Sequence, residues 1–183
     1  DKDNQDGIRP DSVIVSLLAD GVDTGKTVEL SADNNWSDTF TELDMYRDAG
    51  VDILYTVKEH AGANDYTVEI TGSEKEGFVV TNSHAVEKTT VSVVKKWEDQ
   101  DNQDGIRPSS VTVQLQANGD DYGDPVKLNE ENGWEYTWTD LDVNENGKKI
   151  DYKVLEEEVE GYTVEITGDV ADGYIITNTH KIA

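Results

Sequence analysis

The chain has 183 residues, with 15 Lys and Arg against 40 Asp and Glu, a formal net charge of −25. That length suits one or two domains, and the acidity excludes the basic patches that nucleic acid and anionic membranes require. No cysteine is present, so disulfides and thiolate chemistry are excluded and a small domain needs another staple.

Such acidity alone would suit disorder. Four Trp, eight Tyr and a regular Val/Ile alternation point instead to a folded β protein. No apolar run is long enough to span a membrane, and no signal peptide is read.

In chain order, residues 3–10 (DNQDGIRP) return at residues 101–108, 98 positions later. A strand follows, with Val13, Val15, Leu17 and Ala19 on one face. Trp36 stands after an Asn pair and opens a segment read as a strand, the counterpart of the Trp134 segment. Tyr55, Val57 and Glu59 share the face of a further strand. Residues 66–72 (YTVEITG) return at 162–168, and VVTNSH at 79–84 answers IITNTH at 175–180, both 96 positions on. Self-similarity of this length defines two tandem copies of one domain, residues 1–86 and 87–183, with almost no linker.

The second copy opens with residues 89–97 (TTVSVVKKW), for which the first copy has only Asp1 and Lys2 before its DNQDG. That difference is about one strand's worth of chain. Next, Val111, Val113, Leu115 and Ala117 alternate with Thr112, Gln114 and Gln116. Asn118-Gly119, Asn132-Gly133, Asn146-Gly147 and Asp172-Gly173 supply the turns. No long stretch carries helical periodicity. Short alternating strands separated by turns predict an all-β fold, two tandem antiparallel β-sandwiches.

Three polar residues of the second copy interrupt apolar faces. Lys95 has the parity of Val91, Val93 and Trp97; Glu156 that of Tyr152 and Val154; Asn178 that of Tyr174 and Ile176. Burial disfavours charge on such groups. A desolvated Lys95 amine becomes a nucleophile, and a Glu156 that keeps its proton can donate it to the Asn178 carboxamide oxygen. Attack on the side-chain carbonyl with loss of ammonia would then join the first strand to the last. Taken singly, each residue also has an ordinary reading. Lys95 can snorkel to water, Glu156 can begin a solvated acidic loop with Glu157 and Glu158, and Asn178 can cap a turn.

Together, Lys95-Lys96-Trp97, residues 101–108, residues 152–156 (YKVLE) and Ile176-Thr177-Asn178 resemble the B-type (CnaB) repeats of Gram-positive collagen adhesins and related pilus and surface proteins. The resemblance implies a sandwich of inverse-immunoglobulin or prealbumin type. It also implies an autocatalytic Lys–Asn isopeptide with a Glu helper, the reactive Lys standing two residues before the Trp. On that pattern the bond joins Lys95 to Asn178 with Glu156 as helper. The first copy has the equivalents Glu59 and Asn82 but no matching Lys, so no intramolecular bond is expected there.

The acidic loops place Gly seventh where a calcium-binding EF-hand loop needs it sixth, and they lack the closing Glu, so a turn rich in Asn and Asp is expected. His60, His84 and His180 have no metal-ligand spacing, and neither metal nor cofactor is implied. The expected role is a structural spacer of a cell-wall-attached surface adhesin or pilus protein. Its partners would be neighbouring repeats and, for the first copy, a Lys-bearing strand in trans. The alternative is a host-protein-binding module acting through loops or an open edge strand. A turnover enzyme is not indicated, because the isopeptide reaction is one self-directed event.

Overall fold

Val111, Val113 and Leu115 are buried while their neighbours along the strand are only partly so. That alternation builds the second unit. In this computed structural model, which describes residues 1–61 and 65–182, the chain separates into the units Asp1–Ala85 and Val86–Ala183.

The first unit contains β1 (Ser12–Ala19), β2 (Val22–Ser31), β3 (Tyr55–Ala61), β4 (Thr67–Ser73) and β5 (Gly77–Ser83). The second contains β6 (Lys88–Glu98), β7 (Ser110–Ala117), β8 (Val126–Asn129), β9 (Glu135–Asp142), β10 (Tyr152–Glu156), β11 (Thr163–Asp169) and β12 (Gly173–Thr179). Two-residue ladders supplement them, such as Asn144–Glu145 with Lys148–Lys149 across the Asn146-Gly147 turn. Both turn residues there have positive φ, 51° and 72°, which Asn and Gly tolerate best.

In the second unit, β7 pairs antiparallel with β8 and β10. The facing sheet runs β9-β6-β12-β11. Its central contact is parallel: Ile176 lies opposite Lys95 and Asn178 opposite Trp97. Inward residues of the two sheets form one core, including Val91, Val93, Leu115, Leu128, Tyr152, Val154 and Ile176. Two sheets packed with alternating inward residues make a β-sandwich.

The first unit repeats part of this plan. β1 pairs with β2 and β3, as β7 does with β8 and β10, and β4 pairs with β5, as β11 does with β12. Among the described residues no strand takes the place of β6, and β5 pairs only with β4. The segment after Trp36 departs from expectation. Residues 37–45 hold no strand, whereas their counterpart is β9. The reason is pairing: among the described residues β9 bonds only to β6, so a sequence able to form that strand has no ladder to join where no β6 equivalent stands. Phe78 and Val80 are consequently only partly buried, while their counterparts Tyr174 and Ile176 are 9% and 0% exposed.

Hydrogen exchange tests this difference. The amides of β12, held between β6 and β11, are expected to exchange far more slowly than those of β5. Equal protection of the two strands would contradict the one-sided pairing of β5.

Candidate functional site

Lys95 comes from the middle of the facing sheet, on β6, and Asn178 from the adjacent parallel strand β12. Glu156 ends β10 in the opposite sheet, where it pairs with Val113. The three meet across the sandwich. The Lys95 ammonium lies 3.3 Å from Glu156 Oε2, and the two side chains are 0% and 1% exposed. Asn178 is 0% exposed, and its Nδ2 donates to Glu156 Oε1 at 2.6 Å.

Burial drives the Lys95 pKa down from 10.5 to about 8, against the opposing pull of the Glu156 carboxylate. The Lys95 Nζ also lies 4.3 Å from the centre of the Trp97 ring and 3.4 Å from the Lys96 carbonyl. Trp97 is enclosed in turn by Trp134 and Tyr162, with ring centroids 5.4 and 5.0 Å away. The aromatic wall keeps water from the amine.

One buried acceptor of the cluster, Asn178 Oδ1, has no hydrogen-bond partner, whereas Glu156 Oε2 faces the Lys95 ammonium. Native interiors rarely leave such atoms unpaired. Sequence reasoning aimed the Glu156 proton at the carboxamide oxygen; here Glu156 faces the carboxamide nitrogen instead. Which end of the amide faces the carboxyl depends on the proton: an ionised Glu accepts from N–H, and a protonated one donates to C=O.

The first unit holds the same pair without an amine. Asn82 Nδ2 donates to Glu59 Oε2 at 2.8 Å, and Asn82 Oδ1 is buried without a partner. Beside them is a groove of about 450 Å³, with Val15, Leu17, Leu30, Phe40, Phe78 and Val80 among its lining residues. Their counterparts in the second unit line the core into which β6 packs.

A second cluster escaped the sequence reading. Asp99 is 2% exposed. It accepts from Arg107 Nε at 2.9 Å and Nη2 at 2.5 Å, from Tyr162 Oη at 2.8 Å and from the Asn102 amide at 3.0 Å. These bonds, the Arg107 pair foremost, hold the Asp99 carboxyl well below the usual range. Asp1, Arg9 and Tyr66 repeat the arrangement in the first unit. The signal was present as three residue types recurring at the repeat offsets, Asp, Arg and Tyr. The DNQDG loop closes on its own backbone: Asn102 Oδ1 accepts from the Arg107 amide at 2.8 Å.

Fold and site together define a tandem β-sandwich repeat with a buried Lys–Glu–Asn cluster in its second copy. The chain belongs to the Cna protein B-type domain family, whose profile matches residues 1–83 and again 91–179. It is 41% identical over 168 residues to a collagen adhesin of Staphylococcus aureus, covering 92% of this chain and 14% of that protein. A crystal structure of two B repeat units of the S. aureus collagen-binding protein superposes with a TM-score of 0.82 at 38% identity, covering 98% of this chain and 46% of that one. A single B repeat unit of the same S. aureus protein matches with a TM-score of 0.50 at 39% identity, covering 99% of this chain and 93% of that one. The chain thus spans a small part of the curated relative.

The Lys95 environment has a measurable consequence. Between about 8 and 10.5 the unfolded chain carries a Lys95 proton that the folded, unlinked chain has released. Stability therefore rises with pH in that window. The Asn178→Ala chain, which keeps the amine and has no carboxamide to join, should gain stability there relative to the Lys95→Met/Asn178→Ala chain. Parallel melting curves across the window would contradict the buried-amine assignment.

Proposed function

We propose that this chain is a pair of stalk modules of a cell-wall-attached surface adhesin of a Gram-positive bacterium, the second closed by an autocatalytic Lys95–Asn178 isopeptide. Residues 1–86 and 87–183 form the two modules. The surface assignment rests on family membership and on likeness to a collagen adhesin and a collagen-binding surface protein of S. aureus. The observation that carries the bond is the pair of dry contacts by which Glu156 touches both Lys95 and Asn178.

The chemistry balances without a cofactor. A proton passes from the Lys95 ammonium to Glu156, leaving a neutral amine and a neutral acid, a transfer favoured where charge is poorly solvated. The Glu156 carboxyl polarises the Asn178 carbonyl by donating to Oδ1. Lys95 Nζ attacks Cγ, giving a tetrahedral centre. Glu156 takes a proton from the attacking nitrogen and delivers one to the departing Nδ2. The Cγ–Nδ2 bond breaks, ammonia leaves, and an Nζ–Cγ amide remains. The Nδ2–Oε1 contact of 2.6 Å suits the delivery step.

Intact wild-type protein should weigh less than its sequence by one ammonia. Glu156→Gln has no carboxyl proton to shuttle and should show the full sequence mass while remaining folded. Loss of ammonia in Glu156→Gln at the wild-type rate would move the helper role elsewhere, and a full mass for folded wild type would remove the bond.

For the first unit, we infer that the groove accepts a strand of β6 type, with a Lys two residues before a Trp, from preceding chain or from another molecule. The support is the second unit, where β6 fills the corresponding space, together with the Glu59–Asn82 contact. A peptide of residues 89–97 should form a covalent adduct with the chain that vanishes in Asn82→Ala. Absence of both binding and adduct would overturn this inference.

A further inference from the structure

We propose that His180, two residues beyond Asn178, is a pH-dependent clasp, fastening the acidic DNQDG loop to the last strand of its own unit. His180 Nδ1 lies 2.7 Å from the Gly161 carbonyl oxygen, and its Nε2 lies 3.0 Å from Asp104 Oδ2. Each of these oxygens can only accept while Asp104 is ionised. A neutral imidazole has one N–H, so one ring nitrogen would face an oxygen lone pair to lone pair. The imidazolium has two N–H groups and satisfies both.

The first unit repeats the geometry independently. His84 Nε2 lies 2.8 Å from Asp6 Oδ2 and Nδ1 lies 3.3 Å from the Asp65 carbonyl oxygen. Each ring rests on the neighbouring tyrosine at the same 47° tilt, with centroids 5.4 Å apart for Tyr162 and 5.5 Å for Tyr66. Those tyrosines donate to Asp99 and Asp1. The sharp backbone at Gly161, φ 83°, sets its carbonyl beside the ring; a Cβ there would meet the Ile106 side chain at 2.9 Å.

The charges around His180 are the carboxylates of Asp104 and Asp99 and the Arg107 guanidinium bonded to Asp99. Hydrogen bonding to the Gly161 carbonyl and then to Asp104 raises the His180 pKa above its ordinary 6.5. A raised histidine pKa contributes stability that is fully present below 6.5 and is lost as pH rises through the folded-state value. The clasp therefore tightens under mild acid. It closes beyond the ends of the two parallel strands that carry Lys95 and Asn178, where the His180 amide also donates to the Glu98 carbonyl at 3.0 Å. This assignment does not depend on the isopeptide.

Ring-nitrogen NMR on the full chain tests the clasp without a substitution. His180 is expected to titrate above 6.5 and to carry protons on both ring nitrogens at about pH 6. Asp104→Asn should move its midpoint down. Amides of residues 103–107, corrected for intrinsic rate, should exchange several-fold faster at about pH 8 than at about pH 5.5. That ratio should collapse in His180→Gln. A midpoint at or below 6.5, or a pH ratio that survives His180→Gln, would overturn the proposal.

Discussion

The burial of one lysine amine shapes the second unit. Lys95 sits on the central strand pair of a sheet, sealed by Trp97 and the opposing sheet, with Glu156 as its charged neighbour. A buried ion pair gains Coulomb energy but loses hydration, and it stabilises only when its remaining polar atoms are satisfied. Here Asn178 Oδ1 lacks a hydrogen-bond partner, at a cost of about 1–3 kcal/mol. Converting amine and carboxamide into one neutral amide removes the charge that makes the cluster expensive. The strain of the unlinked site thus points toward the bond.

The strand that brings Lys95 also organises its surroundings. Among the described residues, β6 is the only partner of β9 and one of two partners of β12. Without an equivalent, residues 37–45 form no strand and the first unit keeps a groove of about 450 Å³. An isopeptide between β6 and β12 would close a loop covering most of the second unit. If disulfide reasoning transfers, a loop of that length contributes about 4 kcal/mol by restricting the unfolded chain. Because β6 and β12 are the first and last strands of the unit, tension applied to the chain would pass through such a bond and leave the sandwich largely unloaded.

Period 2 made the site legible. It assigned Lys95, Glu156 and Asn178 to apolar faces, and the Glu156 side chain meets those of Lys95 and Asn178. Parity fixes a face but not a sheet, so it was silent on Glu156 arriving from opposite Lys95 and Asn178. The Trp36 segment shows another limit. Its sequence carries strand signals, yet a strand exists only where another supplies hydrogen bonds. The Asp99–Arg107–Tyr162 cluster joins positions far apart in sequence, with no local pattern beyond recurrence at the repeat offset. Likewise, His84 and His180 each face a carboxylate and a backbone carbonyl, partners that no local spacing announces.

Peptide mapping of the denatured wild-type chain is the most direct measurement of the central claim. Protease digestion followed by fragmentation mass spectrometry should yield one branched species joining the peptide that contains Lys95 to the peptide that contains Asn178, lighter than their sum by one ammonia. The species should be absent from Lys95→Ala. Recovery of both peptides as unmodified linear species from folded wild type would contradict the account.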